Sequence, residues 1–299
     1  MIVSLHRQNR KDLNHMEKVK LSIAIPASII SDTPHLREKT AKIGSVARAA
    51  AIFRVDQIIV YPDNQKVDQR RDLTFIALLL NYIETPQYLR KNLFRIEPDL
   101  QYAGILPPLR TPHHPLSGKT KHLKSGEYRE GLVVADAKDG LVVDIGVQQP
   151  ALLRQKQYRI GERLTVQIVN VGDHVEVQPM SRDLVPLYWG YRVQVEKRSV
   201  VQVLVDPVFD LKIVTARVGD NFTDVANKIE HRWMSSHHVL VAFGAPSRGL
   251  HEIVADEASR LTDLAHFVVN TIPNQGTVTV RTEEALLATL SVFNSYFAY

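Results

Sequence analysis

The sequence predicts an α/β protein in which an all-β barrel interrupts a parallel sheet. Three observations lead to this fold class. Apolar runs of strand length alternate with helical patterns over residues 1–100. Short Val-rich runs separated by turn residues follow, up to about residue 184. Strand and helix patterns alternate again after Trp189, and such alternation favours a parallel sheet with helices on its faces.

The first α/β part begins with an apolar run at residues 21–28 that predicts a buried strand. Thr33 is a suitable N-cap and Pro34 suits the first helical position, so we expect a helix to start there. Residues 57–63 predict a second strand that proline ends, and residues 68–88 predict a second helix. The order β-α-β-α indicates parallel strands.

The middle of the chain predicts a small barrel. A Lys-Asp-Gly turn at residues 138–140 lies between two Val-rich runs and predicts a hairpin. Several strands of this length, separated by turns, are typical of small all-β barrels. We therefore divide the chain into an α/β domain made of residues 1–100 and 185–299 and an inserted barrel at residues 101–184.

Two strands of the last part run into loops that predict a binding site. Residues 239–243 lead into a loop at 244–250, and a strand from residue 267 leads into a polar loop before a helix at 282–294. Ligands of open α/β sheets bind outside the carboxyl ends of strands. Gly244, Gly249 and Gly276 would let the backbone approach a ligand, and we expect Gly276 at positive φ. The alternative is that these glycines only make turns.

Composition excludes several classes of function. The 299 residues include no cysteine, which excludes disulfides, thiolate metal sites and cysteine catalysis and fits a cytoplasmic protein. The longest clean apolar run, residues 75–80, is too short to span a membrane. Residues 1–20 lack the apolar stretch of a signal peptide. The adjacent histidine pairs at 113–114 and 237–238 lack the spacing of a zinc site, so we expect no metal.

A mild basic excess would help the protein to bind a polyanion but does not identify one. The formal net charge is +5 and the pI about 9.3. The residues that cluster in the barrel segment beside histidines and Tyr128 are Arg110, Lys119, Lys121, Lys124 and Arg129. Cations mixed with rings suit RNA binding on a barrel, and the alternative is a solvated loop. The same two alternatives apply to a basic segment within residues 1–18.

Three segments resemble the motifs of the SPOUT RNA methyltransferases. Residues 42–60 resemble the first motif, in which Gly44-x-x-x-Arg48 lies on a helix before a strand. Residues 239–250 resemble the second motif, and residues 270–294 resemble the third. The barrel between them is similar to the OB-type insertion of the archaeal and eukaryotic branch. The resemblance covers nearly the whole chain.

This resemblance implies a sheet whose C-terminal chain threads a trefoil knot, and a homodimer that packs through the knot region and helix 282–294. It implies that S-adenosylmethionine lies in the knot and that Arg48 acts on the RNA substrate. The residues implied to bind the cofactor are Phe243, Gly244, Gly249, Ile272, Asn274, Gln275, Gly276, Thr277, Thr282, Glu284 and Ala285. The implied substrate is rRNA or tRNA.

The chain departs from the ribose-methylating branch of that family at each motif. Lys42 stands where that branch has Asn, Phe243–Pro246 replaces Asn-Glu-Gly, and a Ser-Leu-Asn sequence is absent from the third motif. These departures favour methylation of a base nitrogen over the ribose 2′-oxygen. The alternative function is a non-catalytic RNA-binding or ribosome-assembly factor, because a fold alone does not determine an activity.

Overall fold

The computed structural model describes residues 19–172 and 174–297. The predicted basic segment within residues 1–18 lies outside the described residues. The strands in the described part are β1 (Lys20–Pro26), β2 (Gln57–Tyr61), β3 (Tyr128–Ala137), β4 (Gly140–Asp144), β5 (Ala151–Leu153), β6 (Arg163–Val171), β7 (Val175–Pro179), β8 (Arg192–Val195), β9 (Leu211–Asn221), β10 (His238–Ala242) and β11 (Phe267–Asn270). The helices there are α1 (Leu36–Ile52), α2 (Arg70–Glu84), α3 (Gln87–Leu93), α4 (Val200–Val205), α5 (Phe222–Met234), α6 (Leu250–Ala255), α7 (Leu261–Leu264) and α8 (Thr282–Tyr296).

Six strands form a sheet in the order β11-β9-β10-β1-β2-β8, and every neighbouring pair is parallel. Helices α1, α2, α5 and α8 pack against one face, and α4, α6 and α7 pack against the other. Residues 21–26 of the central strand β1 are buried on both faces, which explains their continuous apolar pattern. The predicted parallel α/β sheet is confirmed.

The other five strands close into a barrel in the order β3-β4-β5-β7-β6. All its strand pairs are antiparallel except β5–β7. The predicted hairpin forms, since β3 ends at Ala137 and β4 begins at Gly140. Apolar side chains from all five strands fill the barrel interior. The predicted all-β barrel is therefore confirmed, and its strands lie between residues 128 and 179.

Two predicted helix boundaries are wrong. Helix α1 begins at Leu36 with His35 as its N-cap residue, because the Thr33 hydroxyl donates to the Asp32 carboxylate at 3.0 Å instead of capping the helix. Helix α2 ends at Glu84 and does not continue to residue 88. Pro86 lacks an N–H and disfavours helical conformation in the preceding residue, so the chain breaks there and resumes as α3.

A buried ionic cluster joins the barrel to the sheet. The Glu84 carboxylate at the end of α2 is 3% exposed and accepts from Arg163 at 2.8 Å and Arg182 at 2.9 Å. Burial by itself raises the pKa of Glu84, but Arg163, His113 and Arg182 together hold it well below the ordinary range. Because Arg163 belongs to β6, the cluster fixes the barrel against the sheet domain.

The paired histidines of the Pro-rich segment belong to this junction. Both His113 and His114 place Nε2 within hydrogen-bond distance of the Glu84 carbonyl, at 3.0 and 2.7 Å. Burial, followed by the neighbouring His113, lowers the pKa of His114 to about 3. These side chains therefore pack between the two parts of the chain.

No helix in the described residues is long and apolar enough to cross a membrane.

Candidate functional site

A cavity of about 310 Å³ lies at the carboxyl ends of β10 and β11, beside residues 215–218 in the middle of β9. It is bounded by the ends of β10 and β11, by the loop between β10 and α6, by the loop between β11 and α8, and by the first turns of α6 and α8. The lining segments are 215–218, 243–249, 251–252, 269–272 and 278–280, together with Gln275, Thr282 and Ala285. The cavity lies where the sheet topology places ligand sites.

The predicted cofactor residues divide into two groups. Those that line the cavity are Phe243, Gly244, Gly249, Ile272, Gln275, Thr282 and Ala285. Those that are not among its lining residues are Asn274, Gly276, Thr277 and Glu284. Both predicted loops contribute residues to the cavity, and their role in cofactor binding stays a prediction.

The loop after β10 is held close to its neighbours. Tyr61, at the end of β2, donates from its hydroxyl to the Phe243 carbonyl at 2.5 Å. A Cβ atom on Gly244 would lie 3.1 Å from the backbone nitrogen of Leu250. A larger residue here would require the start of α6 to shift by a few tenths of an ångström, so Gly244 contributes to the close packing of this wall.

Side-chain amides hold the polar loop after β11. Asn270 accepts from the Ile272 N–H and donates to the Arg217 carbonyl, both at 2.9 Å. Gln275 donates to the Thr277 carbonyl at 2.9 Å. The Asn and Gln residues of this loop thus satisfy its backbone and fix its path over the end of β9.

Two predictions within that loop are corrected by the structure. Gly276 does not adopt positive φ, and a Cβ atom placed on it would meet nothing within 4 Å. The Glu284 carboxylate accepts from the Arg281 N–H at 2.9 Å and so caps the start of α8. Gly276 is therefore not required by backbone geometry, and Glu284 shapes the helix start instead of lining the cavity.

Sequence reasoning missed the contributions of β9 and α6. Thr215 to Val218 form one side of the cavity, and Arg217 donates to the Val278 carbonyl at 3.2 Å. His251 also lines the cavity, and its buried Nε2 has no hydrogen-bond partner among the described residues. The strand pattern of β9 could have indicated its contribution, because adjacent parallel strands present their carboxyl ends at the same edge of the sheet.

Arg48 is half-buried on α1 and does not line the cavity. Its guanidinium donates to the carbonyls of Pro108 and Leu109 in the Pro-rich segment that leads to the barrel. Gly44, one turn earlier, leaves the space that Leu106 and Pro107 occupy. The Gly-x-x-x-Arg pattern therefore holds this segment against α1.

Lys42, on the same helix, is nearly buried. Its ammonium lies 2.5 Å from the Asp32 carboxylate and 3.4 Å from Glu283 on α8. This residue replaces the Asn of the ribose-methylating branch, and it links the loop after β1 to the helix that closes the cavity.

The predicted RNA-binding residues differ in their exposure to solvent. Lys119, Lys121 and Lys124 are exposed, and so is Arg110. Leu123 packs in the barrel interior and fixes this basic loop to the barrel. Arg129 is only 3% exposed and donates to Glu127 at 2.7 Å and to the Ser117 carbonyl. A guanidinium buried with two protein acceptors is not available to a phosphate, so Arg129 is removed from the predicted RNA-binding set.

Fold and cavity together define a parallel α/β protein with a cavity at the carboxyl edge of its sheet, where proteins of this class bind small molecules. A family model described as "Putative RNA methyltransferase" matches residues 20–293. The chain therefore belongs to this family of RNA methyltransferases, and the predicted enzyme class is confirmed.

Curated relatives match over nearly the same span. An uncharacterized protein of Halobacterium salinarum is 34% identical and is matched over 90% of this chain and 96% of its own length. The 28S rRNA (uridine-N(3))-methyltransferase of Mus musculus is 33% identical, with 91% of this chain and 75% of that protein matched. The Homo sapiens protein of the same name is 32% identical, with 91% and 77% matched.

Proposed function

We propose that this protein transfers a methyl group from S-adenosylmethionine to N3 of a uridine in ribosomal RNA. The observation that carries the proposal is the match of 91% of the chain to mouse and human proteins named 28S rRNA (uridine-N(3))-methyltransferase. The departures from the ribose-methylating motifs agree with a base nitrogen as the acceptor. The proposal therefore selects rRNA over tRNA and the base over the ribose.

The cavity suits the cofactor. Its volume of about 310 Å³ lies at the lower end of the range for small-molecule sites. Phe243, Ile272 and Ala285 supply apolar walls, and the backbone of residues 244–249 and 278–280 supplies N–H and C=O groups for a polar edge. S-adenosylmethionine, when bound, supplies an already activated methyl group, so the protein mainly has to orient the two reactants.

The acceptor nitrogen carries a proton that must leave as the N3–methyl bond forms. Two titratable side chains on the cavity wall can receive it, His251 and Glu252. His251 has a ring nitrogen that no described residue uses. Arg48, on the helix of a different motif, is assigned to the RNA. Unlike the buried Arg129, it is only half-buried, and its bonds to the Pro108 and Leu109 carbonyls both use Nη1, so Nε and Nη2 remain for a phosphate.

We assign the RNA to the barrel and the dimer contact to α8. The exposed cations of the basic loop lie on a closed five-stranded barrel, a fold that binds oligonucleotides when it is of the OB type. On α8, Leu287 is 48% exposed and Tyr296 is 50% exposed, so apolar side chains remain for a second copy. The segment after β11 contacts Arg217 in β9 and Gly244 after β10, and these contacts agree with a C-terminal knot, which we include in the proposal.

The test is methyl transfer by the purified full chain to rRNA, followed by mass spectrometry of the nucleosides. We expect 3-methyluridine to form only with S-adenosylmethionine present. The Gly244→Val variant, which obstructs the cavity wall, is the inactive control. Formation of a ribose-methylated nucleoside would contradict the assignment to N3. Cofactor binding without transfer to any RNA would support the non-catalytic alternative.

A further inference from the structure

A second concavity, of about 1000 Å³, lies where α2 ends and α3 follows, and it shares no lining residue with the cavity at the sheet edge. We call it the α2–α3 cleft; the residues that matter in it are Tyr82, Arg90, Lys91, Phe94, Arg95 and Glu97. We propose that this cleft binds a single-stranded segment of the RNA substrate beside the barrel. The proposal rests on the proposed function and adds a recognition surface in the sheet domain.

Aromatic rings form the floor of the cleft. The Tyr82 and Phe94 ring centroids are 5.1 Å apart, with the planes at 69°. The Arg90 guanidinium lies 4.7 Å from the Tyr82 centroid. Arg90 also donates to the Thr85 carbonyl at 2.8 Å and to the Ile83 carbonyl at 3.1 Å. These bonds hold Arg90 and the Tyr82 ring in place, so the floor is fixed before any ligand binds.

The rim of the cleft is positively charged. Lys91 and Arg95 are exposed, and neither forms an ion pair with any residue in the described part of the chain. Glu97 is the one carboxylate among the lining residues, against the three cations. Rings that can stack on bases, beside unpaired cations that can contact phosphates, are the combination that binds single-stranded RNA. A partner with a basic surface would not match this charge, whereas Ile96, which is fully exposed in the cleft, adds an apolar contact for a base.

The cleft is continuous with the barrel through α3. The Tyr88 hydroxyl donates to the Glu130 carbonyl of β3 at 2.7 Å. The Tyr88 ring packs on Gly146, where a Cβ atom would lie 2.5 Å from it. Two residues further on, Gln148 donates from its N–H to the Gly118 carbonyl, beside Lys119 of the basic loop, at 3.1 Å. These contacts join α3, which lines the cleft, to the barrel segment that carries the basic loop, and the proposal places one RNA strand on both surfaces.

The experiment measures binding of a fluorescent oligouridylate to the full chain across a salt titration. The test variants are Phe94→Ala and the double variant Lys91→Ala/Arg95→Ala, and the control is Arg71→Ala at the opposite end of α2. We expect Phe94→Ala to weaken binding at least about 5-fold. We expect the double variant to reduce the slope of log affinity against log salt by about 0.7 for each lost phosphate contact. Arg71→Ala should change neither quantity.

The remaining outcomes separate this proposal from the proposed function. Wild-type protein that methylates RNA while all cleft variants retain its affinity and salt slope would overturn the cleft proposal alone. Wild-type protein that binds no RNA at any salt would overturn both. A cleft that mediates self-association would show a variant-dependent mass by light scattering with unchanged RNA affinity, which also overturns the proposal. If Phe94→Ala lowers the melting temperature, the double variant Lys91→Glu/Arg95→Glu is the deciding test, because both side chains are exposed. We expect this variant to lose RNA binding, and unchanged binding would overturn the cleft proposal.

Discussion

The hydroxyl of Thr282 donates a hydrogen bond to the carbonyl of Gly244 at 2.9 Å. This contact joins the first residue of α8 to the second loop residue after β10, and both residues line the cavity. The two loops that form the cavity are separated by α6, α7 and β11 in the chain. The hydrogen bond between Thr282 and Gly244 therefore holds these two loops together at the cavity.

Loss of this hydrogen bond should weaken cofactor binding. Thr282→Val keeps the shape of the side chain but leaves the Gly244 carbonyl without this donor. A hydrogen bond of this kind contributes about 0.5–1.5 kcal/mol, which corresponds to about a 2- to 12-fold increase in Kd. Calorimetry with S-adenosylmethionine measures this, with Thr262→Val on α7 as the control. Unchanged affinity in a folded Thr282→Val protein would show that the contact does not shape the cofactor site.

The two loop glycines should differ in their tolerance of substitution. Gly244→Ala places a Cβ atom 3.1 Å from the Leu250 nitrogen, so the backbone must move and cofactor affinity should fall on the order of 10-fold. Gly276→Ala adds a Cβ atom where nothing lies within 4 Å, so affinity should stay within about 2-fold. Thermal shift with S-adenosylmethionine ranks the two variants. Equal effects would mean that the cofactor itself occupies the space beside Gly276.

Features that depend on local turn chemistry were predictable from the sequence, whereas features that depend on packing were not. Strand ends with glycine and proline predicted the loops at Gly244 and Ile272, since local turn chemistry marks them. The position of Gly276 and the capping role of Glu284 depend on how the loop crosses the sheet, which turn residues alone do not determine. The end of α2 before Pro86 could have been predicted from the sequence, because proline disfavours helical conformation in the residue before it.

Contacts between distant parts of the chain were not predictable from local patterns. Glu84 meets Arg163 and Arg182 across 79 and 98 positions. Arg48 meets Leu109 across 61 positions. Each contact depends on how the barrel is placed on the sheet. The spacing of these residues in the sequence does not indicate which of them are in contact. These are the residues for which the structure adds most to the functional interpretation.

Arg48 should be required for methyl transfer but not for cofactor binding. Arg48 does not line the cavity, so Arg48→Ala should leave the Kd for S-adenosylmethionine within about 2-fold. Loss of an oriented guanidinium should reduce transfer to rRNA on the order of 100-fold. Arg48→Lys should not restore activity, because an ammonium cannot replace the two-pronged geometry. The control is Arg37→Ala, an exposed arginine on the same helix.

A purely structural role for Arg48 has a different signature. The guanidinium holds the carbonyls of Pro108 and Leu109, so its removal could act through the Pro-rich segment alone. In that case Arg48→Ala would lower the melting temperature and RNA affinity together, and Arg48→Lys would recover part of both. Full activity in either variant would remove Arg48 from the mechanism.

The buried carboxylate at the domain junction should make stability depend on pH. The pKa of Glu84 is held below its ordinary value of 4.5, so its ionised form stabilises the fold above about pH 4.5. This contribution is lost as the pH falls through the lowered pKa. Glu84→Gln removes this carboxylate from Arg182 and from Arg163, which keeps Glu130, and should cost about 3–5 kcal/mol at pH 7. Urea denaturation should show the difference from wild type shrinking as the pH falls below 4.5. A difference independent of pH would contradict the linkage.

The basic loop on the barrel should supply the salt-dependent part of RNA binding. The barrel cannot simply be deleted for this test, because its removal takes Arg163 away from the buried Glu84. Replacing Lys119, Lys121 and Lys124 with alanine is the better change, since all three are exposed and form no ion pair with any described residue. Each lost phosphate contact should reduce the slope of log affinity against log salt by about 0.7 for single-stranded RNA.

A matched control removes charge elsewhere on the barrel. Lys138 lies in the turn between β3 and β4, and Lys156 lies in the loop after β5. They give the control variant Lys138→Ala/Lys156→Ala, in which the Lys156 ammonium loses only a bond to the Lys138 carbonyl. We expect this variant to retain RNA affinity and S-adenosylmethionine binding, while the triple variant loses RNA affinity and salt slope and keeps cofactor binding. Equal slopes for the wild type and the triple variant would show that the basic loop is a solvated surface. The RNA contacts would then belong to the sheet domain.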